Sequence, residues 1–410
     1  MMSLLTLYRD AYTGLSRKTW YLSAVMLINR SGTMVVPFMT MYATQQLGFS
    51  IAQAGIIMGI FGVGAIVGTY LGGRLTDKIG FYKIQLFALL VGGVLFIVLG
   101  HLRSYTGICI GTFLLSMVNE SFRPANSTAI AHYSIPENRT RSYSLNRLAI
   151  NLGWAVGGAV GGLLAEMDYQ LLFWVDGITN ISAAIILFFV LPVPAKTVKT
   201  LSGEAKPDRA GTSAYRDKIY LGFICLTVLF AFCFFQLFTI LPVYYRQSLR
   251  LTERHIGFLM ALNGIIIALT EMVLVHSLDG KHPPLYYIKY GVVLVGISFG
   301  IFNLLTGGFL LAIISILIIT VGEMLSMPFM NTFWISRSYD HNRGEYAALY
   351  SMGWASAQIA APSIGGWVAD HLGFDVLWWI ILGVSLLASV GFIVLARYSA
   401  IEFREAPRRK

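Results

Sequence analysis

Charged side chains are scarce in this 410-residue chain. Only 12% of its residues are charged and 56% are hydrophobic, whereas a soluble domain usually carries about 25% charged residues. Its three cysteines, Cys109, Cys225 and Cys233, lie in apolar runs without the spacing of a metal site or a disulfide framework. The sequence also lacks a phosphate-binding loop and a nucleophile–base triad. These absences argue against an enzyme, an ATP-driven pump and a bound cofactor.

Long apolar runs make up most of the chain. A membrane-spanning helix needs about 20 mostly apolar residues, and on that rule we predict an all-α polytopic membrane protein with twelve transmembrane helices in the lipid bilayer. The predicted spans are 20–43, 51–73, 84–102, 107–133, 143–165, 170–192, 219–244, 254–277, 285–304, 308–335, 345–367 and 375–397.

Basic residues cluster on one side of this topology. Twelve spans place both termini on the same side, where the loops and tails hold 22 Lys and Arg residues, against 3 in the opposite loops. Because Lys and Arg in short loops favour the cytoplasmic side, both termini are predicted to be cytoplasmic in a multi-pass protein of the cytoplasmic or inner membrane. This placement explains the net charge of +10, so no nucleic-acid partner is expected.

An internal repeat divides the chain into two similar halves. A shift of 204 positions places Pro124 on Pro328 and aligns several neighbouring small and basic residues without a gap. A polar stretch rich in Pro, Gly, Ser and basic residues separates the halves. We therefore predict an N-terminal six-helix bundle at 1–192, a cytoplasmic linker at 193–218 and a C-terminal six-helix bundle at 219–410.

One patterned polar stretch lies between the second and third predicted spans. It reads Gly-Gly-Arg-Leu-Thr-Asp-Lys-Ile-Gly-Phe-Tyr-Lys at 72–83. Glycine permits a sharp turn at little steric cost, and the basic residues hold the loop in the cytoplasm. The stretch resembles the corresponding loop of the major facilitator superfamily of secondary transporters. Its matching positions are Gly73, Asp77, Lys78, Gly80 and Lys83.

This resemblance implies two pseudo-symmetric six-helix bundles with a site between them near the membrane midplane. In the family the acid of this loop lies near the start of the eleventh span, where the helix dipole favours a negative charge. A gating latch from Asp77 to the helix that starts near Glu345 is therefore implied. The alternative is an ordinary cytoplasmic loop with one stray carboxylate.

Ionisable side chains inside the predicted spans are the first candidates for function, because each costs roughly 2.5–3.5 kcal/mol to insert. Arg30 lies near the middle of the first span. It is predicted to clamp a substrate anion or carboxylate, to act as a fixed charge that tunes the pKa of a nearby acid, or to form a permanent ion pair with Glu120 or Glu323. Glu120 is a candidate proton site, but it also lies three residues before Arg123, and residues at this spacing can pair on one helix face.

Glu323 is the acid that we predict to couple transport to protons. The segment Val-Gly-Glu-Met-Leu-Ser-Met-Pro, at 321–328, resembles the tenth span of proton-driven multidrug antiporters and, more distantly, of peptide symporters. No base lies near it in the sequence, and such a carboxyl can load and unload a proton. Glu271 in the eighth span is a second candidate. The alternatives are an ion pair of Glu323 with Arg30 and a Glu271 that snorkels to the interface.

Polar and aromatic side chains on the cavity-lining spans of this family complete the candidate site. The alternative is that they only pack or make interhelical hydrogen bonds, worth around 0.6 kcal/mol each in a membrane. The predicted substrate contacts are Arg30, Tyr42, Gln236, Asn263 and Trp354.

The closest resemblance is to the twelve-span drug:proton antiporters. It implies a monomeric transporter driven by the proton gradient, which exports amphipathic small molecules by alternating access. A second interpretation is a proton-coupled symporter that imports small zwitterions such as peptides, with Arg30 holding the carboxylate and Glu323 the amine. A third, from another class, is a non-transporting membrane sensor or scaffold whose buried acids form static ion pairs.

Overall fold

Helices account for nearly all of the regular structure. The computed structural model describes residues 14–134, 139–191, 213–278, 280–338 and 343–405, and no β-strand occurs within these ranges. The helices are α1 (Arg17–Ser31), α2 (Val35–Met41), a π-helical turn (Tyr42–Gln46), α3 (Ile51–Ile79), α4 (Phe81–His101), α5 (Tyr105–Glu120), α6 (Phe122–Tyr133), α7 (Arg139–Met167), α8 (Tyr169–Val190), α9 (Lys218–Thr239), α10 (Leu241–Gln247), α11 (Glu253–Leu278), α12 (Pro284–Leu304), α13 (Phe309–Arg337), α14 (Arg343–His371) and α15 (Phe374–Glu405).

Ten helical segments of the described chain are long and apolar enough to cross a membrane. The predicted fourth span is divided into α5 and α6, and the predicted eleventh span corresponds to α14; neither is among the ten. The all-α, polytopic fold class is thus confirmed. The full number of twelve spans stays a prediction.

Contacts along the described chain divide it into two units. Unit 1 takes the described residues of Met1–Gly48, Ile60–Lys196 and Thr252–Ala268. Unit 2 takes those of Phe49–Gly59, Thr197–Leu251 and Leu269–Lys410. Each unit therefore includes the first part of one helix from the other half of the sequence. The predicted linker at 193–218 is described only from residue 213 onward.

The first part of α11 packs within unit 1. The Glu253 side chain is buried and accepts a hydrogen bond of 2.8 Å from the hydroxyl of Tyr169, at the start of α8. A Cβ built on Gly257 would lie 2.5 Å from the carbonyl oxygen of Gly158 in α7. Such small-residue faces let membrane helices approach closely. The two halves of the sequence are therefore joined inside unit 1.

Unit 2 contains the equivalent exchange, made by the first part of α3. A Cβ on Gly55 would lie 2.2 Å from the carbonyl oxygen of Pro362, and one on Gly59 would lie 2.3 Å from Oγ of Ser363. Both partners belong to α14. Since α3 and α11 each form the second predicted span of their half, the two exchanges follow the internal repeat.

The loop between α3 and α4 is a single residue. Gly80 has φ 90° and ψ 149°, a conformation that residues with a Cβ rarely adopt. Asp77 and Lys78 lie in the last turn of α3 and are exposed, and Lys83 lies in the first turn of α4. The predicted turn at Gly80 is confirmed, while most of the remaining motif is helical.

Candidate functional site

Polar side chains gather inside unit 1 at the end of α1. The Nδ2 of Asn29 donates a hydrogen bond of 2.9 Å to Oδ1 of Asn180. Arg30 follows, and its Nε is buried with no hydrogen-bond partner among the described residues. Leaving a buried donor unsatisfied costs about 1–3 kcal/mol. An acceptor on a ligand would therefore gain from binding at Arg30.

Glu120 already has a close cationic partner. It lies 3.2 Å from Arg123, across the break between α5 and α6, with the Glu120 side chain 12% exposed and that of Arg123 68% exposed. Arg30 is near enough to both to interact electrostatically. It nevertheless forms no ion pair within 4.0 Å with Glu120 in the described structure. The permanent pair between Arg30 and Glu120 that the sequence suggested is therefore not formed, because Glu120 turns to Arg123.

Tyr42 is part of the packing of unit 1. It lies on the π-helical turn after α2 and is 2% exposed. Its hydroxyl accepts a hydrogen bond from Arg103, and its ring lies 4.9 Å from that of Phe173 and 6.2 Å from that of Tyr169, centroid to centroid. These contacts give Tyr42 a structural task in this conformation, and its contact with substrate stays a prediction.

An aromatic cluster surrounds Trp354 in unit 2. Its indole lies 6.1, 6.2 and 5.8 Å from the rings of Phe230, Phe234 and Phe235 on α9, centroid to centroid, and 6.3 Å from Tyr350 on its own helix. The three phenylalanines meet the indole edge to face, a favoured aromatic geometry. We call these five residues the aromatic cluster. It offers flat, polarisable surface to an apolar or cationic ring.

Gln236 and Asn263 are both buried, but in different units. Gln236 donates from Nε2 to the carbonyl oxygen of Ala361 at 2.9 Å and so ties α9 to α14 in unit 2. Its Oε1 is buried without a hydrogen-bond partner among the described residues. Asn263 lies on the part of α11 that belongs to unit 1. Contact of either residue with substrate stays a prediction.

The two predicted proton-coupling acids of unit 2 lie on neighbouring helices. The hydroxyl of Thr270 on α11 lies 3.2 Å from Sδ of Met324 on α13. Glu271 and Glu323 each adjoin one of these residues, and both are partly buried. Pro328 lies inside α13, where it removes a backbone hydrogen bond and weakens the helix. The structure thus places the segments of both acids side by side, and the helix that carries Glu323 is the one that Pro328 weakens.

Glu345 is engaged within unit 2. Its Oε2 accepts hydrogen bonds from Oγ of Ser213 at 2.8 Å and from the backbone nitrogen of Ala214 at 3.1 Å. The end of the predicted linker is thereby attached to the start of α14. The latch between this helix and Asp77 stays a prediction.

Asp217 anchors the start of α9. Oδ2 accepts from Nε of Arg337 at 2.9 Å, and Oδ1 accepts from its Nη2 at 3.0 Å. The hydroxyl of Tyr346 and the backbone nitrogen of Tyr220 also donate to the carboxylate, each at 3.0 Å. Burial raises the pKa of Asp217, but the hydrogen bonds and charge of Arg337 outweigh it and hold the pKa below its usual value.

Three buried acids were not among the predicted site residues. Asp176 has no exposed surface, and its carboxylate accepts hydrogen bonds of 2.8–3.0 Å from the backbone nitrogens of Met34 and Val35. The rule that an acid inside a span is functional by default could have found it, since it lies within the predicted sixth span. Asp217 and Glu253 lie at helix starts, where that rule gives no signal.

The ten long apolar helical segments of the described residues define a multi-pass membrane protein. The family model of the Major Facilitator Superfamily matches residues 21–360. The chain therefore belongs to the Major Facilitator Superfamily, as the loop motif predicted, and this is a family of transporters.

Several known proteins are similar to this chain over most of its length. The Na(+), Li(+), K(+)/H(+) antiporter of Planococcus maritimus is 23% identical over 405 residues, covering 90% of this chain and 92% of the relative. The quinolone resistance protein NorA of Staphylococcus aureus is 20% identical, covering 91% and 94%. A crystal structure of a POT family transporter with 5-aminolevulinic acid has a TM-score of 0.80 at 15% identity, covering 94% and 97%. At this identity the likeness shows the fold alone.

Proposed function

We propose that the protein is a proton-coupled exporter of amphipathic, drug-like molecules. The observation that carries this proposal is the position of Glu323, a partly buried acid on a proline-containing helix beside the segment that bears Glu271. Support also comes from the relatives, one named as a cation/proton antiporter and another as a quinolone resistance protein. The chain is proposed to act as a monomer in the cell membrane, with both termini in the cytoplasm.

The proposed mechanism is exchange at a carboxyl. An ionised Glu323 favours a cationic or polarisable substrate. When a proton from the outside binds the carboxylate, the neutral acid no longer holds the substrate, which leaves outward. The proton is then released to the cytoplasm, and the carboxylate is restored. Proton and substrate are thus bound in alternation at one site, with Glu271 as a second carrier, while the two halves of the chain rock around the site.

The aromatic cluster around Trp354 supports an aromatic or lipophilic cationic substrate. A cation over the face of a tryptophan gains about 2 kcal/mol when the site is dry. Such a surface also tolerates many ring shapes because it relies on area rather than on directional hydrogen bonds. We therefore propose ethidium-like cations as the substrate class.

A second candidate is import of a small zwitterion together with protons. The observation that favours it is the buried Nε of Arg30, which lacks a hydrogen-bond partner among the described residues. A guanidinium binds a carboxylate with two parallel hydrogen bonds. In this case Arg30 would hold the substrate carboxylate and Glu323 its amine.

Purified protein in proteoliposomes tests the proposal. Ethidium or dialanine uptake is measured with a pH gradient imposed in either direction, and sodium and potassium salts are offered as alternative counter-ions. Ethidium accumulation on the acidic side supports export by proton exchange. Dialanine accumulation on the alkaline side would favour the second candidate. Movement of sodium or potassium alone against protons would assign a cation exchanger and overturn drug export.

A further inference from the structure

The first span is interrupted between two helices. α1 ends at Ser31 and α2 begins at Val35. A helix start leaves backbone N–H groups without intrahelical partners, and inside a membrane these must be satisfied within the protein. Asp176 on α8 supplies the acceptors. The nitrogen of Met34 donates to its two oxygens at 3.0 and 2.9 Å, and that of Val35 donates to Oδ2 at 2.8 Å.

The carboxylate of Asp176 is held by backbone groups. The side chain has no exposed surface, and within the described ranges it forms no ion pair within 4.0 Å. A buried carboxylate is costly unless hydrogen bonds compensate it. The three hydrogen bonds from Met34 and Val35 therefore fix the start of α2 relative to α8.

Two neighbours on α8 hold the other side of the interruption. A Cβ built on Gly32 would lie 1.7 Å from Oγ1 of Thr179, so the end of α1 rests directly on that residue. One position further, Asn180 accepts the hydrogen bond from Asn29. Asp176, Thr179 and Asn180 share one helix face because they are three and four residues apart. We call these three residues the hinge face.

Arg30 lies between the hinge face and α7. It belongs to the last turn of α1, and its Cβ lies 2.5 Å from where a Cβ on Gly153 of α7 would be. The backbone of Arg30 therefore packs closely against α7, while Asn29 and Gly32 contact α8. The direction of the last turn of α1 decides where the guanidinium points.

We propose that Asp176 is a positioning residue, which fixes the bend of the first span and thereby the placement of Arg30. Arg30 holds the substrate carboxylate in the second candidate function, and Asp176 orients Arg30 whichever of the two functions holds. Removal of the carboxylate leaves the N–H groups of Met34 and Val35 without acceptors, so α2 is released from α8 and the bend relaxes.

Spin labels at the two ends of the span measure the bend without any transport assay. Trp20 and Gln46 are exposed and can be replaced by labelled cysteines in a chain whose three native cysteines are removed. Double electron–electron resonance should give a narrow distance distribution with Asp176 present. Asp176→Leu is expected to shift and broaden it, and Asp176→Asn, which keeps one acceptor oxygen and the side-chain volume, to do so less.

Thiol reactivity at position 30 reports the placement of Arg30 itself. In Arg30→Cys, the rate of modification by a charged methanethiosulfonate reagent should change at least fivefold on adding Asp176→Asn. The matched control is Ile178→Leu on the same helix, since Ile178 is 54% exposed and faces away from the hinge face. Labels at Tyr286 and Leu304, which bracket α12 in unit 2, should keep their distance in every variant.

A merely structural role predicts a different pattern. It would lower the melting temperature and disturb the α12 pair together with the first-span pair. Unchanged distances and thiol reactivity in Asp176→Asn and Asp176→Leu would overturn the proposal, and so would equal changes in Ile178→Leu. Because neither readout needs a substrate, these results are independent of whether the protein exports drugs.

Discussion

At the end of α1 in unit 1, polar side chains of α8 hold the chain, whereas in unit 2 a cluster of aromatic rings packs α9 against α14 beside the hydrogen bond from Gln236 to Ala361. Asp176 and Asn180 represent the first chemistry, and Trp354 against Phe235 represents the second. The two halves of the sequence are related by a repeat, so the same topology supports both interiors. A polar interior can orient a charge, and an aromatic one can receive a ring, which favours a division of tasks between the units.

The acids of the two units differ in the same way. Asp176 is fully buried and accepts three hydrogen bonds from backbone nitrogens. Glu323 is partly buried and lies on a helix weakened by Pro328. A carboxylate held by backbone donors is suited to hold structure, whereas we propose that the partly buried Glu323 exchanges protons. The predictions that follow test this contrast, from the largest expected effect to the smallest.

The first change is Glu323→Gln, which keeps the size of the side chain and removes its proton exchange. Ethidium transport driven by a pH gradient should fall to the background of protein-free liposomes, while the melting temperature stays within a few degrees. Glu120→Gln is the matched control in unit 1, and it should retain most of the flux because Glu120 already pairs with Arg123. Full flux in Glu323→Gln would remove this acid from the mechanism.

Trp354→Ala tests the aromatic cluster. The KM for ethidium should rise about tenfold, which corresponds to about 1.4 kcal/mol of lost binding, because the flat face over which a cation sits is gone. Trp354→Phe should recover much of this loss. In unit 1, Tyr42→Phe keeps the ring and removes only the contact with Arg103, so its KM should change less than twofold. A similar KM for Trp354→Ala and the native protein would show that the aromatic cluster does not contribute to substrate binding.

The ion pairs of the two units should contribute differently to the free energy of unfolding. Arg337→Ala strands the buried carboxylate of Asp217 and is expected to cost about 2 kcal/mol of stability. Arg123→Ala removes a pair whose arginine is 68% exposed and should cost less than about 0.5 kcal/mol. Thermal unfolding in detergent, with both variants beside the native protein, measures the difference. Equal decreases in melting temperature in the two variants would contradict the expectation that the buried ion pair contributes more to stability than the exposed one.

The pair in unit 2 also sets a pH dependence. Because the pKa of Asp217 is lower in the folded protein than the usual value of about 3.9, its stabilisation is complete above that usual value. It is lost as the pH falls through the lower folded value. The difference in melting temperature between Arg337→Ala and the native protein should thus be largest near neutral pH. It should shrink as the pH falls, because the Asp217 carboxylate that the variant leaves buried without its cation takes up a proton before the native carboxylate does.

Loop glycines give the smallest expected contrast. Gly80 in unit 1 has φ 90° and ψ 149°, so Gly80→Ala should cost about 1–3 kcal/mol. Gly280 in unit 2 has φ 74°, close to the left-handed region that other residues reach at about 1–2 kcal/mol. No atom lies within 4 Å of a Cβ at either position, so backbone strain is the main cost. Gly80→Ala should unfold at the lower temperature, and the reverse order would argue against this comparison.

Local patterns in the sequence were sufficient to predict several features of the fold and of the candidate site. Apolar runs predicted the helical membrane fold, and the loop motif predicted both the family and the turn at Gly80. The three-residue spacing of Glu120 and Arg123 predicted that they could pair. Each of these depends on residues that are close along the chain.

Contacts between residues that are far apart in the chain could not be predicted from such local patterns. The helix interruption after Ser31 is stabilised by Asp176, which accepts a hydrogen bond from the nitrogen of Met34 and lies 142 residues after it in the chain. Glu253 gains its partner from Tyr169, in the other half of the sequence. The ring of Tyr42 looks available in the sequence, yet Phe173 and Tyr169 bury it. Tertiary packing decides these contacts, and single-residue patterns carry little of that information.

Proton movement driven by substrate tests the central claim most directly. Proteoliposomes carrying the native protein and a lumenal pH dye are given an inward ethidium gradient without any imposed pH difference. Exchange predicts that the lumen becomes alkaline as ethidium enters and protons leave, and that Glu323→Gln gives no change. Ethidium entry without a pH change, or acidification of the lumen as ethidium enters, would contradict proton-coupled export.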